Sequence, residues 1–159
     1  MSVFFSFHYK RDAWRVQKII QMGAVEGQPL LNSQAWEDVK RRGDSSIKDW
    51  IDEQMKYKSA VVVLVGQQTA SRRWVKHEIT KAWNDRRPLV GVRIHGLADH
   101  SGRTDTAGRN PFELIRLPSG GTIADHVPIF SPSGVGSAAV HANIRTNIQT
   151  WVTRAYRRP

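Results

Sequence analysis

The run Ala60-Val61-Val62-Val63-Leu64-Val65 limits what this chain can become more than any other stretch. It is apolar throughout and mostly β-branched, so it favours extended backbone, and a strand with no polar face has to be covered on both sides. It is far too short to cross a bilayer. Such a strand belongs in the middle of a parallel sheet, and parallel strands must be joined by crossovers, usually helices, that cover the sheet.

The surrounding sequence supplies those crossovers. Val3 to Phe7 is short, apolar and β-rich, and Asp12 stands as an N-cap before Ala13, Val16, Ile19 and Ile20 recur at helical spacing, up to Gly23. A weaker strand is expected from Ser33 to Trp36, after Pro29, followed by a charged loop from Glu37 to Gly43. Asp44 or Ser45 then caps a helix through Ile47, Trp50, Ile51 and Met55, and Ser71 caps another whose buried stripe is Val75, Ile79, Ala82 and Trp83. Pro88 leads into a strand over Leu89 to Ile94.

This alternation predicts an α/β fold of the flavodoxin-like kind, a doubly wound, mainly parallel five-stranded sheet with helices on both faces. From His95 to Ser137 glycine, proline, serine and aspartate dominate, which predicts a long irregular insertion after the fourth strand, with an edge strand near Val127 to Phe130. Val140, Ile144, Ile148, Trp151, Val152 and Tyr156 then form the stripe of a closing amphipathic helix. We expect one domain over residues 1–159, with its core in 1–97 and the extension and closing helix in 98–159.

Hydrophobic residues make up 40% of the 159, enough for one core. The absence of cysteine excludes a disulfide framework and any thiolate-bound metal. With no apolar run long enough to span a bilayer and no secretory leader, the chain reads as cytoplasmic and without membrane contact. A formal net charge of +10 favours anionic partners. Its cations fall into separate clusters, Lys40-Arg41-Arg42, Arg72-Arg73, Arg86-Arg87 and Arg157-Arg158, with no nucleic-acid recognition motif between them, and they read as solvated faces.

Ligands of a doubly wound sheet bind at the carboxyl ends of the strands, so the loops after them are the places to look. The one acid in the basic segment Ser71 to Trp83, Glu78, lies four residues after Trp74 and shares a helix face with it. An indole beside a carboxylate suits a ribosyl site, where the ring stacks and the anion stabilises a developing oxocarbenium ion. The same spacing also fits a surface pair of Glu78 with Lys81 or Arg72. His95, Asp99 and His100 share a loop but show no metal-ligand spacing. Ser133 to Ser137 reads as a turn and helix cap. A phosphoacceptor receiver needs acids where this chain has Phe7-His8 and Gly66-Gln67, which excludes it.

Phe4-Phe5-Ser6-Phe7-His8 resembles the first-strand signature of TIR domains, Trp36-Glu37-Asp38-Val39 leading to Gly43 resembles their second strand and the loop after it, and Trp74-Val75-Lys76-His77-Glu78-Ile79 is similar to the tryptophan and glutamate segment of the NAD-cleaving members. Beyond residue 97, Gly108 to Phe112 and the closing helix resemble the bacterial TIR-like family that supplies the sensor subunit of Thoeris antiphage systems. The resemblance implies a catalytic Glu78, a substrate pocket bordered by Phe7, His8 and Trp74, no metal, and NAD as substrate rather than cofactor. It further implies a cyclic ADP-ribose-type signal, a downstream NAD-depleting effector, a phage component as trigger, and self-association in which the loop from Glu37 to Asp44 completes a neighbour's pocket. TIR domains that act only as assembly scaffolds are the alternative.

Overall fold

The computed structural model describes residues 1–30 and 33–159, the side chains of Ser33 and Gln34 excepted. Four parallel strands form one sheet in the order β1 (Val3–Ser6), β2 (Ala60–Val65), β3 (Leu89–Arg93) and β4 (Ile129–Phe130). As its composition demands, every residue of β2 is buried. Alternate side chains divide the sheet between two cores. Val3, Phe5, Val62, Leu64, Val90 and Val92 face α1 (Tyr9–Gln21) and α5 (Ser137–Thr153). Phe4, Val61, Val63, Val65 and Leu89 face α3 (Asp44–Met55) and α4 (Arg73–Asn84).

The expected fifth strand is not formed. Ser33 to Trp36 opens α2 (Ser33–Arg41), which also takes up most of the charged loop expected from Glu37 to Gly43. Trp36 and Val39, one turn apart, pack against the core, and Lys40 and Arg41 close the helix at the end its dipole favours. Beside β1, the strand's place is held by residues 26–28. Ser2 and Glu26 make a single parallel bridge, and Val3 N donates to Glu26 O at 2.7 Å. The Gln28 side-chain amide then imitates a strand residue, accepting from Phe5 N and donating to Phe5 O, both at 2.8 Å.

Helix α1 begins earlier than Asp12. His8 is its N-cap, with Nδ1 accepting from Arg11 N at 3.2 Å. Asp12 lies within the helix, fully buried, and pairs with the buried Arg15 at 2.9 Å. Arg15 also donates to the carbonyls of Leu97 and Arg103 and pairs with Asp105, which Arg11 holds from outside. These contacts pin the irregular stretch after β3 to α1. At Gly108 the same stretch passes so close to the end of β2 that a Cβ there would collide with the carbonyl oxygens of Gly66 and Gln67. Phe112 and Ile123, in short 3-10 turns, bury their side chains in the core below α4. Helix α4 is preceded by a 3-10 turn over Thr69–Ser71, so Arg72 rather than Ser71 is its N-cap residue. Among the described residues, no helix is long and apolar enough to cross a membrane.

Candidate active site

Two adjoining spaces lie beside β1 at the carboxyl end of the sheet. The inner one is a cavity of about 50 Å³ walled by Phe7, Tyr9, Trp36, Trp50 and Trp74, with Glu78 among its lining residues. The outer one is a cleft of about 490 Å³ that shares Phe7, Tyr9, Trp36 and Trp74 and adds Lys10, Arg72 and the ion pair of Lys40 with Glu37 at 2.8 Å. The cleft falls within the usual size range of small-molecule sites, roughly 300–1,000 Å³. Its walls come from the segments after β1 and β2 and from α2, as the crevice rule for such sheets requires.

The rings interlock. Phe7 and Tyr9 have centroids 5.8 Å apart, Tyr9 and Trp36 5.7 Å, and Trp36 meets Trp50 edge-on at 5.7 Å. These spacings are those of favourable aromatic pairs, so the wall is a continuous aromatic surface. On the rim, the Arg73 guanidinium lies 4.5 Å above the Trp74 ring and pairs with Asp44 at the start of α3.

Glu78 does not form the surface pair that its spacing also allowed. Its side chain is buried, and the Ser6 hydroxyl at the end of β1 donates to Oε1 at 2.7 Å. Lys81 turns away from it to Asp85 and Asp52. Burial pushes the Glu78 carboxyl up to about 8, and the Ser6 hydrogen bond only partly offsets this. At that value the group is mostly protonated at neutral pH.

Phe7 and Trp74 line both spaces with Glu78 close by, whereas His8 faces elsewhere as the cap of α1. Burial, then Arg72, lowers the His8 pKa, which keeps Nδ1 free to accept the cap bond. Tyr9, Lys10 and Lys40 lie in the segments after the first and the expected second strand where ligand contacts were to be sought, whereas sequence reasoning missed Ser6, Trp36 and Trp50. In the loop after β3, Asp99 accepts from the amides of Ser101 and Arg103, and His100 stands edge-on to Trp14. Ser137 accepts from Ala98 N and so ties the start of α5 to that loop.

Residues 4–99 match the family described as Thoeris protein ThsB, TIR-like domain. The chain is also similar to a protein of Bacillus cereus (strain MSX-D12) provisionally named cyclic ADP-D-ribose synthase ThsB1, with 33% identity over 123 residues, 71% of this chain and 62% of that protein. It therefore spans less than two thirds of that relative's length.

Proposed function

Since the chain belongs to the TIR-like domain family of the Thoeris protein ThsB, we propose that it is an NAD-processing enzyme that breaks the bond between nicotinamide and ribose and yields a cyclic ADP-ribose-type product. One observation carries this reading: a buried acid, Glu78, lines an aromatic cavity that shares Phe7, Tyr9, Trp36 and Trp74 with a cleft bearing Lys10, Lys40 and Arg72.

In this reading nicotinamide enters the inner cavity between Trp74 and Phe7, and the diphosphate lies in the outer cleft near Lys10, Lys40 and Arg72. The C1′–N bond breaks with its electron pair moving to the ring nitrogen, so nicotinamide leaves neutral without needing a proton. Positive charge develops on the ribosyl group, and the Glu78 carboxylate stabilises it more than the ground state. The dry aromatic surroundings strengthen that interaction. A hydroxyl of the held ADP-ribose captures C1′ ahead of water because it is already close, its proton passes to the Glu78 carboxylate, and the ring closes. The product would switch on an NAD-depleting effector, with a phage component as trigger.

The test is to incubate the protein with NAD, alone and in lysate of phage-infected cells, and to measure nicotinamide and cyclic product. Glu78→Gln should lower turnover at least about a hundredfold, as expected on losing a transition-state electrostatic partner. For wild type, kcat/KM should rise with pH through about 8 as the buried acid ionises. Absence of turnover in every assembled state would favour a scaffold that only binds other TIR domains, whereas full activity of Glu78→Gln would remove Glu78 from the chemistry.

A further inference from the structure

Two basic clusters far apart in the sequence meet at the amino-terminal edge of the sheet, opposite the cleft. Tyr156 pairs antiparallel with Leu89 through two 2.8 Å hydrogen bonds, which brings Arg157 and Arg158 beside the Arg86-Arg87 turn that leads into β3. The Arg158 guanidinium lies 5.8 Å over the Trp83 ring, and Arg86 N donates to Trp83 O at 3.2 Å. Arg87 Nη1 reaches Lys58 O at 3.4 Å, so the turn before β2 joins the same edge.

Several features coincide at this edge. Among the described residues, no ion pair with a carboxylate involves Lys58, Arg86, Arg87, Arg157 or Arg158, as is also true of most other lysines and arginines of the chain. The Nε groups of Arg87 and Arg158 are buried without a hydrogen-bond acceptor, which is unfavourable for a charged donor. Tyr57 is 87% exposed, with the Lys56 ammonium 5.4 Å from its ring. The chain also adopts left-handed backbone at Tyr57 (φ 65°) and Arg86 (φ 57°), and among the described residues these are the non-glycine cases. Both lie in the turns entering neighbouring strands at this edge. A Cβ makes that conformation costly, and such strain gathers where a side chain has to be presented.

We infer that this edge binds single-stranded nucleic acid, with phosphates on the arginine forks and an unpaired base on Tyr57. Guanidinium groups match phosphate geometry, two donors to two oxygens, and their terminal Nη groups are the atoms that would meet a phosphate. An exposed aromatic ring beside cations is the arrangement by which proteins hold unpaired bases without reading sequence. The inference is independent of the NAD reading, since no residue of the cleft takes part.

The test measures fluorescence anisotropy of labelled single-stranded DNA and RNA of about 16 nucleotides across a salt series, using the full chain. Affinity should fall steeply with salt. Tyr57→Asn, which keeps a residue tolerant of left-handed backbone, should weaken binding roughly tenfold. Arg86→Asn with Arg157→Ser should weaken it further and reduce the salt slope by about 2. Arg41→Ser with Arg42→Ser, which removes the same charge from the end of α2, should leave it unchanged. If the first double variant fails to fold, Arg157→Ser alone carries the test, with a slope change of about 1. Equal losses from both charge sets would overturn the inference in favour of net charge alone. It would equally fall if Tyr57→Asn had no effect, if no oligonucleotide bound at low salt, or if binding were confined to phosphatidylserine vesicles.

Discussion

Ser6 and Glu78 stand far apart in the sequence, and their contact sets the chemistry available at the inner cavity. A carboxyl with a pKa of about 8 is mostly protonated at neutral pH, and the Ser6 hydroxyl favours its ionised form. Ser6→Ala should therefore move the midpoint of the kcat/KM profile upward by about one pH unit and cut activity at pH 7 roughly tenfold, because a hydrogen bond to a charged group contributes about 1.5–3 kcal/mol. A profile unmoved by Ser6→Ala would show that the contact is only structural. The same shift fixes the sign of a stability measurement. Between the ordinary glutamate pKa of 4.5 and about 8, the folded state holds a proton that the unfolded state has released. Stability should thus fall by about 1.4 kcal/mol per pH unit as pH rises through that window, and Glu78→Gln should flatten the slope in urea titrations. The four-residue spacing of Trp74 and Glu78 was legible in the sequence because a helix face is a local property. Ser6, Trp36 and Trp50 were not legible as pocket residues, since only the assembled sheet brings them together.

At the scale of elements, β2 was readable because an apolar strand leaves few alternatives, and the stripes of α3, α4 and α5 were readable from their period. The segment from Ser33 to Arg41 was misread. Trp36 and Val39 stand three apart and basic residues close the segment, both helix signals that outweigh the strand expected after Pro29. The boundary at Asp12 failed for a different reason. A good capping residue was needed more urgently inside, as the partner of a buried arginine. No sequence pattern announces that Gln28 will stand in for a strand. Gln28→Ala leaves Phe5 N and O without partners at a buried position, and it should destabilise the chain by about 2 kcal/mol in urea unfolding. A loss under about 0.5 kcal/mol, the range of ordinary surface changes, would show that water replaces the amide at no cost.

For the molecule as a whole, a positive charge that composition reports as one number divides between two ends of the sheet with different surroundings. At the carboxyl end, Lys10, Lys40 and Arg72 stand around a cleft with an acid below it. Lys40→Ser with Arg72→Ser should raise KM for NAD roughly tenfold or more while leaving kcat nearly unchanged, because contacts to a diphosphate are alike in ground and transition states. A fall in kcat instead would mean that these cations act on the reacting carbon. The two free margins of the sheet also differ from what a parallel sheet usually offers. One is β4, only two residues long, and the other is β1, whose outward amide and carbonyl at Phe5 are already engaged by a side chain. A neighbouring copy therefore finds no template on which to zip its own backbone, so the chain resists fibre-like stacking. Any assembly it builds has to be made by helix and loop surfaces, which can be released again without unpicking the sheet.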